Sequence, residues 1–480
     1  MKSGSAEYFV DFQAQNQLVL QKEEKAMRRK VTRRDFMKGA AIVAASGMLA
    51  GCSGGEGPSA PDNSEKPSTS EKPAESNSSS SSSSSSSESE SASSSKPEEE
   101  DGIKWTYSKN SDGTITLKGY DKNAEKVPAG ELIIPEKYDG YTVSAIGYQC
   151  LYRNKDIECV IVPATVQKID RSAFYECTNL TKVSLPEGLK EIGQSAFYNS
   201  NIDNIVLPKS LTKVGKSAFG GIESLTNAVI KGKTAFENGT FSGCPNLTTA
   251  TFQNSIRELP ADMFSSCKKL QNVTLPNELR TLGSQFFRGC VLLDKVKLPD
   301  TVTTIGSECF EGCTALGAIE IPGGVTELAS ELFEHCTSLT KVTLPENLKI
   351  IRDRAFYNCA ALQSIRLPQR MSLIEYSVFN RCTVLKKIAL PEGLTRINNS
   401  TFCLCKSLQE IYIPGTVVTI GQDAFDRCES LNKVYFGGSK EMWDNIKIDT
   451  GTTYGSTGNK YLTTDIMNRY WNQTAASIGY

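Results

Sequence analysis

One histidine, His335, serves a chain of 480 residues, so the usual agent of acid–base chemistry near neutral pH is almost absent. There is no nucleophile motif and no glycine-rich phosphate loop, and catalysis would have to rest on paired carboxylates. Cysteine is plentiful, at fifteen, but no C-x-x-C pair occurs, and metal sites need clustered ligands. An excess of one charge is missing as well. The net charge is −1, with nine basic and five acidic groups up to residue 51 and eleven acids against three lysines over 53–101. That leaves residues 102–480 about +3, far from the strongly basic face of a nucleic-acid binder. The weakly apolar run 39–50 is shorter than the roughly 20 residues that a membrane-crossing helix requires.

What the chain does have is a beat. Phenylalanine recurs at Phe174, Phe197, Phe219, Phe241, Phe264, Phe287, Phe310, Phe333, Phe356, Phe379, Phe402 and Phe425, every 22 or 23 residues. A fixed period in this range marks a solenoid, in which each repeat covers its neighbour's apolar face and only the stack has a core. Cysteine follows three residues after most of these phenylalanines, with Ser200 and Ile222 as substitutes, and Leu151 with Asn154 marks a degenerate first unit. About thirteen repeats result.

Each unit alternates in a segment such as Leu339 to Pro345, the pattern of a half-buried strand, and a proline closes it. Stacked coils place these strands parallel, about 4.8 Å apart, in a sheet expected to be about 60 Å wide. A second short extended piece follows, and Ala-Phe-x-x-Cys then predicts one helical or 3₁₀ turn held by packing. Phe, Ala, Cys and Leu point inward as ladders. Equivalent Cβ atoms about 4.8 Å apart and parallel do not suit disulfides, which converge to about 3.8 Å, so the cysteines read as buried thiols in preference to disulfides or metal ligands. Cys309 and Cys159 look incidental, and His335 falls in a turn column.

Ala355, Phe356, Cys359, Leu362, Ile365, Leu367 and Pro368 mark a typical unit, and neighbours add glycine after isoleucine, as in Ile192-Gly193. This pattern resembles the BspA-like, treponemal class of leucine-rich repeat over roughly 102–448, with lapses at 220–260. The resemblance implies a parallel sheet on a concave side, and adhesin-like attachment to matrix proteins, host cells or other bacteria.

Upstream, Arg28 to Lys38 holds the twin arginines Arg33 and Arg34 and resembles a twin-arginine export signal. Leu49-Ala50-Gly51-Cys52 resembles a lipobox, which makes Cys52 the expected lipidation site of a protein anchored outside the bacterial cytoplasm. The organisation expected is then a disordered segment or misassigned start at 1–26, a lipoprotein signal at 27–51, and a Ser/Glu/Pro-rich disordered tether at 52–101. An N-terminal β cap at 102–145, repeats over 146–436 and a C-terminal cap and tail at 437–480 complete it. The tether's r.m.s. reach is roughly 35–40 Å. A hairpin through Asp112-Gly113 closes the front, and Trp443 reads as a plug at the back.

The functional expectation comes by subtraction. Ladder columns are core, which leaves the outward positions two and four residues before each proline. These hold Lys182, Lys295, Lys297, Lys341, Arg366, Lys387 and Lys433 with Tyr412 and Tyr435, against Glu320 and Glu410 as the acids. Those two carboxylates, four coils and about 18 Å apart, are too distant for the glycosidase pairing found within about 10 Å. The face suits an extracellular protein or an acidic glycan. The reading is a monomeric, non-enzymatic surface protein that uses no cofactor, no metal and no nucleic acid, and that meets the membrane only through its lipid. A structural spacer or envelope-assembly subunit is the alternative, and a carbohydrate-active enzyme on a β-solenoid a distant third.

Overall fold

The computed structural model describes residues 102–452, 456–463 and 467–479. The signal with Arg33 and Arg34, the lipidation site Cys52 and the tether lie outside the described residues. From Gly130 onward the chain winds into a parallel β-solenoid of about thirteen turns, with almost no helix.

Each coil has three sides. The proline-terminated segment forms the longer strands, such as Asn204–Leu207, Asn227–Ile230 and Thr249–Phe252, paired in parallel so that Asn227 meets Thr249 and Thr249 meets Asn272 one coil on. A second side carries two-residue strands, such as Lys168–Ile169, Glu191–Ile192 and Lys213–Val214, which also stack in parallel. The third side holds Phe and Cys. The single wide sheet anticipated from the sequence is instead four sheets along the longer-strand side, interrupted between Lys182–Ser184 and Asn204–Leu207, around 295–297 and around 364–366.

The Phe-bearing side is not the helical or 3₁₀ turn that its sequence predicts. Residues two before and two after each phenylalanine adopt left-handed backbone, as at Ser172 (φ 55°) and Glu176 (φ 54°), and again at Glu331 (φ 58°) and His335 (φ 62°). A left-handed residue reverses the helical sense, so alternate amides turn along the solenoid axis instead of back into their own turn. Phe174 N–H donates to Ala196 O at 2.7 Å and Glu176 N–H to Tyr198 O at 2.8 Å, while Tyr175 N–H closes a tight turn on Ser172 O. Backbone hydrogen bonds therefore link successive coils on this side too, which meets the requirement that buried amides be paired.

Inside, all twelve phenylalanines are fully buried, and each ring stacks on the next with centroids 5.0–6.1 Å apart. The widest step, between Phe264 and Phe287, is wedged by Phe286, which takes the slot usually given to alanine. Glycine after isoleucine has a packing cause. A Cβ on Gly306 would fall 2.4 Å from Ser284 N and 2.7 Å from Gly283 C, atoms of the coil before. Gly306→Ala is expected to cost about 1–3 kcal/mol by forcing two coils apart, read as a lower urea midpoint. An unchanged midpoint would show that the coils accommodate the extra methyl, as the presence of Ala329 in the same column allows.

Both ends are closed. At the front, strands Trp105–Lys109 and Ile115–Tyr120 form an antiparallel hairpin whose turn is held by Asp112 Oδ1 accepting from Thr114 N–H at 3.0 Å. At the back, a short helix, Lys440–Asp444, starts at Ser439 and buries Trp443 against Phe436 (5.3 Å) and Trp471 (6.0 Å). Buried Asn459 accepts from Phe425 N–H at 3.0 Å and donates to Gly421 O at 2.9 Å, ending the backbone ladder on the Phe side. Strand Asn468–Tyr470 adds to the longer-strand side beyond Lys433–Phe436.

Candidate interaction surface

The outward columns of the longer strands are the broad accessible face that the repeats leave free of core. Pairing sets Lys182 beside Cys159, Lys341 beside Ala318, and Glu410 between Lys387 and Lys433. Lys295, Lys297 and Arg366 belong to the two coils whose segments drop out of the ladder, and all three are exposed, as are Lys182 and Lys341. Beside the interruption around 295–297 lies a groove of about 530 Å³, lined by Val273, Thr274, Leu275, Asn277, Lys297, Pro299, Asp300 and Thr301. Val273, Leu275 and Pro299 give it an apolar part among five polar residues, a mixture that can hold a ligand by both contact and hydrogen bonds.

Four of the nine residues assigned to this face are not free. Tyr412 is buried beneath the chain's own C-terminal 3₁₀ turn, Ala475–Ile478, packed with Ala389 and Ile478, and its hydroxyl is hydrogen-bonded to Glu392. Tyr435 stacks on Tyr470 at 4.9 Å. Lys387 Nζ donates to Ile478 O at 2.8 Å, and Lys433 Nζ pairs with Glu410 at 2.7 Å. The tyrosine end is a seat for the C-terminal segment. Conversely, the outward column nearer the front carries aliphatic residues that the charge pattern did not bring out, with Ile133 57% and Val206 44% exposed beside half-buried Ile161 and Val229. Their signal was present in the alternation, as apolar residues at outward positions.

The BspA type leucine-rich-repeat region matches this chain in three overlapping spans, 144–271, 234–345 and 326–446, well over half its length. The chain belongs to the BspA-type leucine-rich-repeat family. A leucine-rich repeat protein from Bacteroides ovatus is 26% identical, over 78% of this chain and 99% of its own, with a TM-score of 0.57. A leucine rich cell surface protein from Faecalibacterium prausnitzii is 28% identical over 72% of this chain and 97% of its own, with a TM-score of 0.42. No curated protein matches. BspA-type repeat proteins are generally surface and interaction proteins, and among the described residues no helix is long and apolar enough to cross a membrane.

In this BspA-type array the cysteine column is built into the backbone network. All ten thiols of the column are fully buried, and each Sγ–H donates to the carbonyl of the Phe column one coil earlier, as from Cys336 to Phe310 O (3.1 Å) and from Cys359 to Phe333 O (3.2 Å). Cys177 does the same to Leu151 O at 3.1 Å, where leucine replaces phenylalanine. Sequence reasoning found the burial but not this bond. Burial pushes the thiols of Cys177, Cys244 and Cys382 up to about 12, which suppresses the reactive thiolate. Cys309 is also buried, whereas Cys159 and Cys403 are only half-buried. Burial, with Asp426 nearby, raises Cys403 to about 12 as well. Iodoacetamide at pH 8 is therefore expected to label Cys159 of the native protein and to spare the ladder thiols until denaturant is added. Peptide mass mapping checks this, and native labelling of Cys313 or Cys336 would contradict it.

The remaining titratable clusters are ion networks between coils. His335 Nε2 lies 3.3 Å from a Glu334 oxygen and its Nδ1 2.9 Å from Asn358, and the hydrogen bond to Glu334 raises the imidazole above its ordinary value. Glu308, Glu311 and Glu331 bring carboxylate oxygens within 4.8 Å of one another, with Arg288 on Glu308 (3.3 Å) and Glu311 (2.7 Å) and Arg354 on Glu331 (3.3 Å). Glu320 and Glu410 on the outward face stand four coils apart, and Glu410 is tied to Lys433.

Proposed function

We propose that this protein is a lipid-anchored, extracytoplasmic adhesin-like binder that engages an extracellular protein or an acidic glycan through the middle of its longer-strand face. The observation that carries the reading is the cluster of exposed Lys295, Lys297, Lys341 and Arg366 around the interruptions at 295–297 and 364–366, beside the groove at Val273 to Thr301. A local excess of positive charge steers anionic ligands, and it acts on association more than on final affinity. The covered tyrosine end is left out of the binding zone.

The test uses the full chain, screened against matrix proteins and an array of glycans. Saturable binding that weakens with added salt and is lost when Lys295, Lys297 and Arg366 are changed to glutamate supports the reading. Binding that ignores these changes moves the site elsewhere, and absence of binding on any surface favours a structural spacer. Turnover of a glycan would return the enzyme reading. For the anchor, Cys52→Ala is expected to release the protein from the membrane fraction, and unchanged fractionation would count against lipidation.

A further inference from the structure

The unit from Phe197 to Phe219 is one residue short, and the missing residue can be placed. Its neighbours carry two residues between the cysteine and leucine columns, Thr178-Asn179 before and Glu223-Ser224 after, whereas Asn201 alone joins Ser200 to Ile202. The gap opens a notch of about 310 Å³, lined by Thr178, Asn199, Ser200, Asn201, Gly221 and Glu223. This notch lies at the Phe-bearing side of the coil and shares no lining residue with the face discussed above.

Three observations make it more than a surface dent. Ser200 stands in the cysteine column and is 5% exposed, and its hydroxyl, unlike the thiols of that column, has no hydrogen-bond partner. Leaving a buried hydroxyl unpaired is costly, so the notch has an unmet hydrogen bond at its floor. Gly221 keeps the notch open, because its left-handed backbone (φ +69°) disfavours other residues and a Cβ there would lie 2.1 Å from Asn199 Oδ1. Tyr198, last of the stacked rings Tyr152, Tyr175 and Tyr198, lies 3.4 Å from where a Cβ on the lining residue Gly221 would stand, and it faces Gly220 where a fourth ring would otherwise stand.

We infer that the notch binds a neutral monosaccharide unit of a glycan chain. The size is that of a small ligand site. The amides of Asn199 and Asn201 both donate and accept, the Glu223 carboxylate accepts from two hydroxyls, and Ser200 and Thr178 add hydroxyls, a set matched to vicinal diols. Tyr198 offers an amphipathic ring for the apolar face of the sugar. The single carboxylate repels acidic sugars and supplies too little charge for a hard cation such as calcium, which gathers several oxygen ligands. The ligand class thus differs from the anionic one proposed for the lysine-bearing face.

The test is ligand-observed saturation-transfer NMR on the full chain with the methyl glycosides of glucose, galactose, mannose and N-acetylglucosamine. At least one is expected to bind with a Kd on the order of 1 mM. Glu223→Gln and Asn201→Ala, both at exposed positions, are expected to weaken it about tenfold, the loss for a hydrogen bond to a charged or well-placed group. Insertion of one threonine after Asn201 restores the 23-residue spacing, fills the notch and abolishes binding, with an unchanged melting curve as the folding control. Charge reversal at Lys297 leaves the monosaccharide signal intact, so failure of this site and failure of the lysine face are read separately. No binding by any of the four glycosides, equal binding by the insertion variant, or a response to calcium alone would overturn the proposal.

Discussion

Phe310→Ala is expected to cost about 3–5 kcal/mol and to split the unfolding of the repeat array into two transitions. The ring is fully buried, stacked between Phe287 at 5.6 Å and Phe333 at 5.5 Å. Its removal leaves a cavity that neither neighbour can fill, because each is held by its own partner on the far side. The backbone there is also committed, since Phe310 N–H donates to Leu332 O at 3.0 Å and Phe310 O accepts the Cys336 thiol. In a stack where each coil contacts only its neighbours, a weak junction separates two blocks that then melt independently. Urea unfolding with hydrogen-exchange readout checks this, with early exchange expected near residues 287–333. One cooperative transition, shifted by less than about 1 kcal/mol, would show that the stack does not depend on the ring column.

Trp443→Ala is the second large expectation, at about 3–5 kcal/mol for loss of a buried indole. Trp443 is 7% exposed and closes the last coil with Phe436 and Trp471, and the Arg469 guanidinium lies 5.9 Å from its ring. Without it, the strands Lys433–Phe436 and Asn468–Tyr470 lose their cover and present an open edge. Open strand edges pair with other chains. The variant is therefore expected to associate, seen as concentration-dependent light scattering, with faster exchange beginning at 433–436. A monomeric variant of unchanged stability would show that the closing role belongs to another residue.

Periodicity made the solenoid, its core columns and its strands legible, because burial at one place in every coil forces the same residue type there. The conformation of the Phe-bearing side was not legible. Left-handed positions usually announce themselves through glycine or asparagine, but here Ser172, Glu331 and Arg354 hold them, stabilised by hydrogen bonds to the next coil that no single repeat can display. The candidate face was legible only in part. Lys182, Lys295, Lys297, Lys341 and Arg366 are exposed because alternation alone decides their direction. Tyr412 follows the same alternation, yet it is covered by Ile478, which lies more than sixty residues later and outside the repeat. Non-local cover of this kind leaves no mark on the local pattern. The notch at Ser200 was visible only as a lapse in the cysteine column, and its meaning required the position of the missing residue.

The direction of the bonds between coils has one more consequence. Each phenylalanine of the column sends its amide forward, and each of the ten ladder thiols sends its Sγ–H backward, so the two faces of a regular coil are unlike, and each is complementary to the opposite face of another regular coil. The final phenylalanine donor, Phe425 N–H, has no further repeat ahead of it and takes its partner from Asn459. A regular coil duplicated or deleted among the regular coils of the interior would find the same sockets on both sides. Length is thus an independent variable of this architecture, adjustable in steps of about 4.8 Å without redesign of either end.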